Sequence, residues 1–144
     1  MLTQAEADRL MHMTKHFVRG PATISIPPGA DDTYELAGPG ERETFFLDVW
    51  RGTLRLTKLK FQNRARSVIV LVRLDVEGAP HTNPDGQRLS GTHLHLFKEG
   101  YDDKWACPVD PQTFTLLSNP AKTFQEFCAF CHVESPPPVQ GVII

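Results

Sequence analysis

Residues 67–77 read SVIVLVRLDVE and form the strongest strand pattern of the chain. Valine or leucine stands at every even position, whereas the odd positions pass from apolar side chains to Arg73, Asp75 and Glu77. Alternate side chains of a β-strand point to opposite faces, so the even positions predict the core face of a sheet. The predicted core positions of this strand are Val68, Val70, Val72, Leu74 and Val76.

Residues 91–96, GTHLHL, continue the alternation with two histidines. The turn sequence NPDG at 83–86 separates this segment from the first strand. A hairpin must align one core face with the other, because a slip of one residue would reverse every side chain. Leu94 and Leu96 are therefore predicted to be buried. The opposite, polar face is predicted to gather Arg73, Asp75, Glu77, His93, His95 and Glu99.

The other predicted elements precede and follow this pair of strands in the chain. Further strands are predicted at 44–51, 53–61 and 92–99, with a short edge strand at 104–109. An N-terminal helix with a Thr3–Glu6 capping box lies within 1–19, and a C-terminal helix within 118–133 begins at Asn119-Pro120. The proline- and glycine-rich stretch 20–43 is predicted to be an irregular wrap. The predicted fold class is α+β, a mostly antiparallel, curved sheet of four to six strands with both helices packed on it.

Length and composition describe an ordinary globular chain. Its 144 residues are 40% hydrophobic and 22% charged, so we expect a single domain spanning 1–144, with the sheet in 44–109. No segment has the roughly 18 consecutive apolar residues of a membrane helix. The first residues are polar and acidic, which is not the pattern of a secretory signal. We expect a cytoplasmic protein with no membrane partner.

Charge is unevenly distributed along the chain. The segment from Arg51 to Leu74 holds seven basic residues and no acid, whereas the rest holds 8 basic residues and all 17 acids. Such a segment suits an anionic partner such as RNA or DNA. The predicted backbone-binding residues are Arg51, Arg55, Lys58, Lys60, Arg64 and Arg66.

The polar face fits three functions. In the first, His93 and His95 act as an acid and base in metal-independent RNA cleavage. Asp75 or Glu77 would fix the tautomer, and Arg73 or Lys104 would stabilise the developing charge. The loops beside the histidine strand add His81 and Trp105 as substrate contacts.

The second and third functions need no acid–base pair. His93, His95 and Glu99 form a ligand set for a divalent transition metal, with the spacing of the first cupin motif. The glycine expected six residues further on is replaced by Ala106, and no second motif follows. In the third function the face binds a target protein as an inhibitor.

The cysteines form a separate group. Residues 128–132, CAFCH, match the haem-attachment pattern, but haem attachment requires export, and both cysteines fall on the apolar face of the last helix. A zinc set of Cys107, Cys128, Cys131 and His132 has suitable ligand types. Buried thiols on a packing face are the default interpretation.

Several short motifs resemble an uncharacterised family of small bacterial and mobile-element proteins. The resemblance spans roughly residues 44–133 and rests on LDVWRG at 47–52, QNR at 62–64, RLD at 73–75, HTNPDG at 81–86, GTHLH at 91–95 and DKWA at 103–106. It implies a bacterial or phage origin, where small domains of this kind act as toxins, immunity factors or inhibitors of host defence. It carries no activity with it, and it directs attention to the histidines, Arg64 and Lys104.

Overall fold

The computed structural model describes residues 1–140. Within these residues the chain forms two helices and nine strands. The helices are α1 (Gln4–His12) and α2 (Pro120–Phe130), with a 3₁₀ turn at Pro39–Glu41. The strands are β1 (His16–Phe17), β2 (Asp31–Ala37), β3 (Thr44–Arg51), β4 (Leu59–Ala65), β5 (Ile69–Val76), β6 (His81–Thr82), β7 (Arg88–Leu89), β8 (His93–Leu96) and β9 (Ala106–Cys107).

The main sheet is an antiparallel meander with one interruption. Its order is β1-β2-β3-β4-β5-β8-β9, and β6 and β7 form a separate two-stranded hairpin between β5 and β8. The predicted α+β class with a mostly antiparallel sheet and helices at both ends is confirmed. The predicted four to six strands were too few, because the sheet of the described residues has seven.

The helices and one face of the sheet enclose the core. Phe61 on β4 contacts Phe124 and Phe127 of α2, with ring centroids 5.8 and 5.9 Å apart. Phe124 and Phe127 are fully buried, as predicted. The caps predicted from sequence form as well: Thr3 accepts the amide of Glu6, and Asn119 accepts the amide of Lys122.

A β-bulge in β5 makes the predicted alternation wrong for the first part of the strand. Asn63 pairs with Val72 and Arg64 with Val70, so Leu71 is an extra residue on β5. A one-residue insertion reverses the facing of all residues beyond it. Leu71 is therefore buried, whereas Val70 shares the outer face with Arg64 and is only half-buried. Val68 precedes the strand and is 82% exposed.

Three element boundaries and the burial of one leucine also differ from those predicted from the sequence. The stretch 20–43 contains a full strand, β2, in place of an irregular wrap. The strand predicted at 53–61 begins at Leu59, because residues 52–58 form the turn from β3. The N-terminal helix ends at His12 and the chain then enters β1. Leu96 is 38% exposed because it ends β8 beside the two-residue edge strand.

The β6–β7 hairpin folds back over the outer face of the sheet. The predicted turn forms, since the amide of Gly86 donates to the carbonyl of Asn83. Asn83 is 3% exposed, and its side chain makes two hydrogen bonds to the backbone of Ala106, of 2.8 and 2.9 Å. This side chain ties the hairpin to β9. Gly91 closes the return into β8, where a Cβ would collide with the carbonyl oxygen of Gly78.

Candidate functional site

Two adjacent strands bring four polar side chains together on the outer face. Arg73 pairs with His95 across the β5–β8 ladder, and Asp75 pairs with His93. All four project from the side opposite Val72, Leu74 and Val76, which are buried in the core. The shared polar face predicted for these four residues is present. We call Arg73, Asp75, His93 and His95, together with His81 from β6, the histidine cluster.

Backbone carbonyls orient both strand histidines. Nδ1 of His93 donates to the carbonyl of Ser90 at 2.6 Å, and Nδ1 of His95 donates to the carbonyl of Asp103 at 2.8 Å. With the proton on Nδ1, the basic nitrogen of each ring is Nε2. The two Nε2 atoms lie 3.3 and 3.7 Å from Oδ2 of Asp75. The two imidazoles and the carboxylate therefore converge on one point.

Arg73 completes this network. Its Nη2 donates to Nε2 of His95 at 2.9 Å, its Nε to Asp75 at 3.2 Å and its Nη1 to Asp103 at 3.1 Å. The guanidinium thus lies where its positive charge balances Asp75 and contacts the free lone pair of His95. It is the only cation hydrogen-bonded to the cluster within residues 1–140.

His81 brings a third imidazole from the hairpin. Its ring centroid lies 4.7 Å from that of His95 and 5.5 Å from that of His93. Its Nε2 donates to the carbonyl of Lys104 at 2.8 Å. The sequence placed His81 beside the histidine strand, and the structure brings its ring into contact with both strand histidines.

Burial affects the protonation of His93 and Asp75. His93 and His95 are each 1% exposed. Burial is the main cause that lowers the pKa of His93, so its imidazole is neutral at neutral pH. Burial alone would raise the pKa of Asp75, but the neighbouring His95 side chain and the charge of Arg73 outweigh it and lower that pKa. A neutral imidazole and an ionised carboxylate are the forms that bind metal ions.

The donor set fits a transition metal. One ligand atom from each of Asp75, His93 and His95 lies within 4.8 Å of the others. A tetrahedral zinc ion with bonds of about 2.0–2.1 Å needs ligand atoms roughly 3.3 Å apart, so a small contraction would seat an ion. The carbonyl acceptors on both Nδ1 atoms are the outer partners that fix metal-binding histidines.

Glu99, Lys104 and Trp105 lie outside the cluster. The Glu99 carboxylate accepts the amide of Gln4 at the start of α1, and the described residues bring Asp75, not Glu99, together with the two histidines. Lys104 contributes its backbone carbonyl, and its side chain is exposed. Trp105 lies across β8 from the histidines, beside Leu94, with Lys98 Nζ 4.1 Å from its ring centroid.

Three of the six predicted backbone-binding residues are engaged within the chain. Arg51 donates to the carbonyls of Ile26 and Leu56, and Arg64 makes a two-pronged ion pair with Asp48. Arg66 pairs with Glu6 and Glu43 at the far end of the sheet. The other three surround the turn that follows β3: Arg55 is exposed in it, and Lys58 and Lys60 lie near the ring of Trp50.

The cysteines do not form a metal site in residues 1–140. All three are free thiols, and the metal-competent group found in this part of the chain is Asp75, His93 and His95. Cys131 is fully buried, and burial raises its pKa to about 12. Cys128 is also buried on the packing face of α2, which is the default interpretation of the sequence analysis.

Sequence reasoning missed the residues that orient the histidines. Ser90 and Asp103 contribute backbone carbonyls, and a backbone group leaves no signal in residue type. The Asp103 carboxylate, which pairs with Arg73, lies in the DKWA motif that the resemblance included. Its neighbour in that motif, Lys104, was chosen instead on its charge.

Comparison with known proteins places the chain in a family. No curated protein and no solved structure matches it. In residues 1–140 no helix has the length and apolarity needed to cross a membrane. A family model matches residues 2–133, which confirms and extends the resemblance drawn from 44–133. The chain belongs to this family, a family of unknown function designated DUF6978.

Proposed function

We propose that the protein binds one divalent transition metal ion through Asp75, His93 and His95. The observation that carries the proposal is the convergence of two buried Nε2 atoms on one carboxylate, with both Nδ1 atoms committed to backbone carbonyls. Two imidazoles and a carboxylate suit zinc, iron or manganese. Three protein ligands leave coordination positions open, as in catalytic rather than closed structural zinc sites.

The proposed role of the ion is that of a Lewis acid towards a small ligand that reaches it past Asp75. An ion with open positions polarises a carbonyl or phosphoryl oxygen of a substrate. The Asp75 side chain is 14% exposed, so the carboxylate side of the cluster faces the route to solvent. The protein's part is to hold the ligands in the neutral and ionised forms that the ion requires.

Burial favours this proposal over direct acid–base cleavage of RNA. An RNA phosphate would have to contact the Nε2 atoms themselves, and both imidazoles are 1% exposed beneath the hairpin. A metal ion needs only a small site. The ribonuclease of the sequence analysis stays a prediction, as does the inhibitor that binds a target protein. We also propose a cytoplasmic location, which the three free thiols support.

Isothermal titration calorimetry tests the metal proposal. Protein purified without a histidine tag and stripped with a chelator is titrated with Zn²⁺, Mn²⁺ and Fe²⁺. We expect one site per chain, lost in His93→Ala and His95→Ala. His16→Ala is the matched control, because His16 is exposed on β1 far from the cluster. Saturating metal at about 100 times Kd should raise stability by roughly 2.7 kcal/mol and shift Tm by several degrees.

Absence of heat together with an unchanged wild-type Tm for all three metals contradicts the proposal, and this result does not depend on whether the variants fold. Arg73 offers a sharper test. Metal binding must displace its Nη2 from Nε2 of His95, and Asp103 provides an alternative partner. We expect Arg73→Gln to tighten metal binding by about tenfold, equivalent to ~1.4 kcal/mol, because a competing cation is removed.

A further inference from the structure

The outer face of the sheet continues beyond the histidine cluster onto β4 and β3. Lys60 pairs with Asp75 across the β4–β5 ladder and with Trp50 across the β3–β4 ladder. Phe46 pairs with Arg64 in the same way further along β3. These residues form one connected surface on the side opposite the helices. We call Phe46, Trp50, Lys58, Lys60 and Arg64 the aromatic face.

Cations surround both aromatic rings. Lys58 Nζ and Lys60 Nζ lie 5.6 and 5.8 Å from the Trp50 ring centroid, and Arg64 Cζ lies 4.9 Å from that of Phe46. Trp50 and Phe46 are four residues apart on one strand, a separation of roughly 13 Å. Both rings are half-buried, and Lys60 is exposed.

The one carboxylate between the rings is already neutralised. Asp48 accepts hydrogen bonds from Thr33, Gln62 and Arg64 at distances of 2.7–2.9 Å. This network also holds the Arg64 guanidinium over Phe46. The acids Asp31 and Glu35 lie on the β2 side, opposite Trp50 and Phe46 in the ladder. Positive charge is therefore concentrated on the β4 side of the rings and negative charge on the β2 side.

We propose that the aromatic face binds single-stranded nucleic acid, with bases stacked on Trp50 and Phe46 and phosphates along Lys58 and Lys60. Aromatic rings that stack bases beside a cationic track are the general means of binding single strands without sequence preference. The acids on β2 orient the strand, because they repel phosphates from that side. The segment from Arg51 to Leu74, which supplies most of these residues, contains no acid.

The surface reaches the metal ligands without depending on them. Lys60 is the ladder neighbour of Asp75, so a strand bound along β4 would pass beside the histidine cluster. The proposed binding involves none of Asp75, His93 and His95. It is therefore tested in the presence of a chelator, where failure of the metal site has no effect on the result.

Fluorescence anisotropy with labelled 12-nucleotide oligo(dT) and oligo(U) measures the affinity. We expect Trp50→Ala to weaken binding by about 10- to 100-fold. The double variant Lys58→Ala with Lys60→Ala should reduce the salt dependence by roughly the contribution of two phosphates. Lys122→Ala is the control, because Lys122 is exposed on α2 at the opposite side of the sheet. A 12-base-pair duplex should bind more weakly than the single strands, since its bases cannot stack on the rings.

Intrinsic fluorescence gives a second readout in a chain that keeps its aromatic face. The protein has two tryptophans, and Trp105→Phe leaves Trp50 as the single reporter. Stacking should quench this fluorescence on addition of oligonucleotide. The proposal is overturned if wild type binds neither oligonucleotide at low salt, if the duplex binds as tightly as the single strands, or if Trp50 fluorescence is unchanged at saturation. Retention of a protein partner instead of the oligonucleotides would have the same meaning.

Discussion

The two halves of the outer sheet face differ in cover, although one alternating pattern produces both. Over β5 and β8 the β6–β7 hairpin buries the polar side chains, and His93 and His95 are each 1% exposed. Over β3 and β4 no element covers the face within residues 1–140, and Lys60 is exposed beside Trp50. Both halves contain an arginine–aspartate pair: Arg73 with Asp75, and Arg64 with Asp48.

The two halves show that burial by another element, rather than residue composition, determines which partner a polar face can bind. Beneath the hairpin, every charge must be paired, and the ligand atoms are held at fixed separations. On the open half, Lys60 is exposed and remains available to a large partner. A small ion suits the covered half and a polymer suits the open half.

Removing each aspartate gives the largest contrast between the halves. We expect Asp75→Asn to lower the free energy of unfolding by about 3 kcal/mol, because it removes the mostly buried carboxylate that pairs with Arg73. Asp48→Asn on the open half should cost about 1 kcal/mol, since the Asp48 side chain is 25% exposed and that of Asp75 only 14%. Chemical denaturation of the two variants measures both values. Equal costs would show that the hairpin does not determine the energetics of the cluster.

Asn83→Ala tests the cover itself. The variant loses two hydrogen bonds to the buried backbone of Ala106, at a cost of about 2 kcal/mol. The hairpin should then open more often and expose the cluster. Hydrogen–deuterium exchange should rise in residues 80–91 and in β9, and remain unchanged in β3 and β4. Uniform exchange across the sheet would mean that the hairpin is not a separate cover.

An ion-pair group on the surface gives the smallest effect. Hydrogen bonds from Arg9 and Arg66 lower the pKa of Glu6 from 4.5 to about 2. A lowered carboxylate pKa stabilises the fold above the unfolded value, and this contribution is lost as pH falls from about 4.5 to 2. Thermal melts between pH 2 and 6 should therefore show a weaker acid dependence for Glu6→Gln than for wild type. An identical acid dependence would show that the ion pairs of Glu6 do not stabilise the fold.

The sequence predicted the polar face and not the groups that surround it. The alternation of 67–77 and 91–96 was sufficient to place Asp75, His93 and His95 on one face, because register between core faces allows a single solution. It failed before Leu71, at Val68 and Val70, since a bulge depends on the pairing of two strands and is not encoded in one of them. It chose Glu99 by spacing along the chain, whereas the ladder presents Asp75 directly opposite His93.

The β6–β7 hairpin that covers the histidines could not be predicted from the sequence, for a different reason. The turn at 83–86 was clear, but the direction in which the hairpin folds depends on the contact of Asn83 with Ala106, 23 residues away. β2 was missed because its flanking prolines and glycines outweighed seven residues without a strong apolar pattern. Residue type predicts local conformation well and long-range cover poorly.

The metal content of the purified chain is the direct test of the proposal that Asp75, His93 and His95 bind one metal ion. Protein produced without a tag, and never exposed to a chelator, is analysed by inductively coupled plasma mass spectrometry beside His93→Ala and the control His16→Ala. We expect close to one transition metal ion per chain in wild type and in His16→Ala, and none in His93→Ala. Wild-type protein that is free of metal and takes up none on dialysis against Zn²⁺, Mn²⁺ or Fe²⁺ would contradict it.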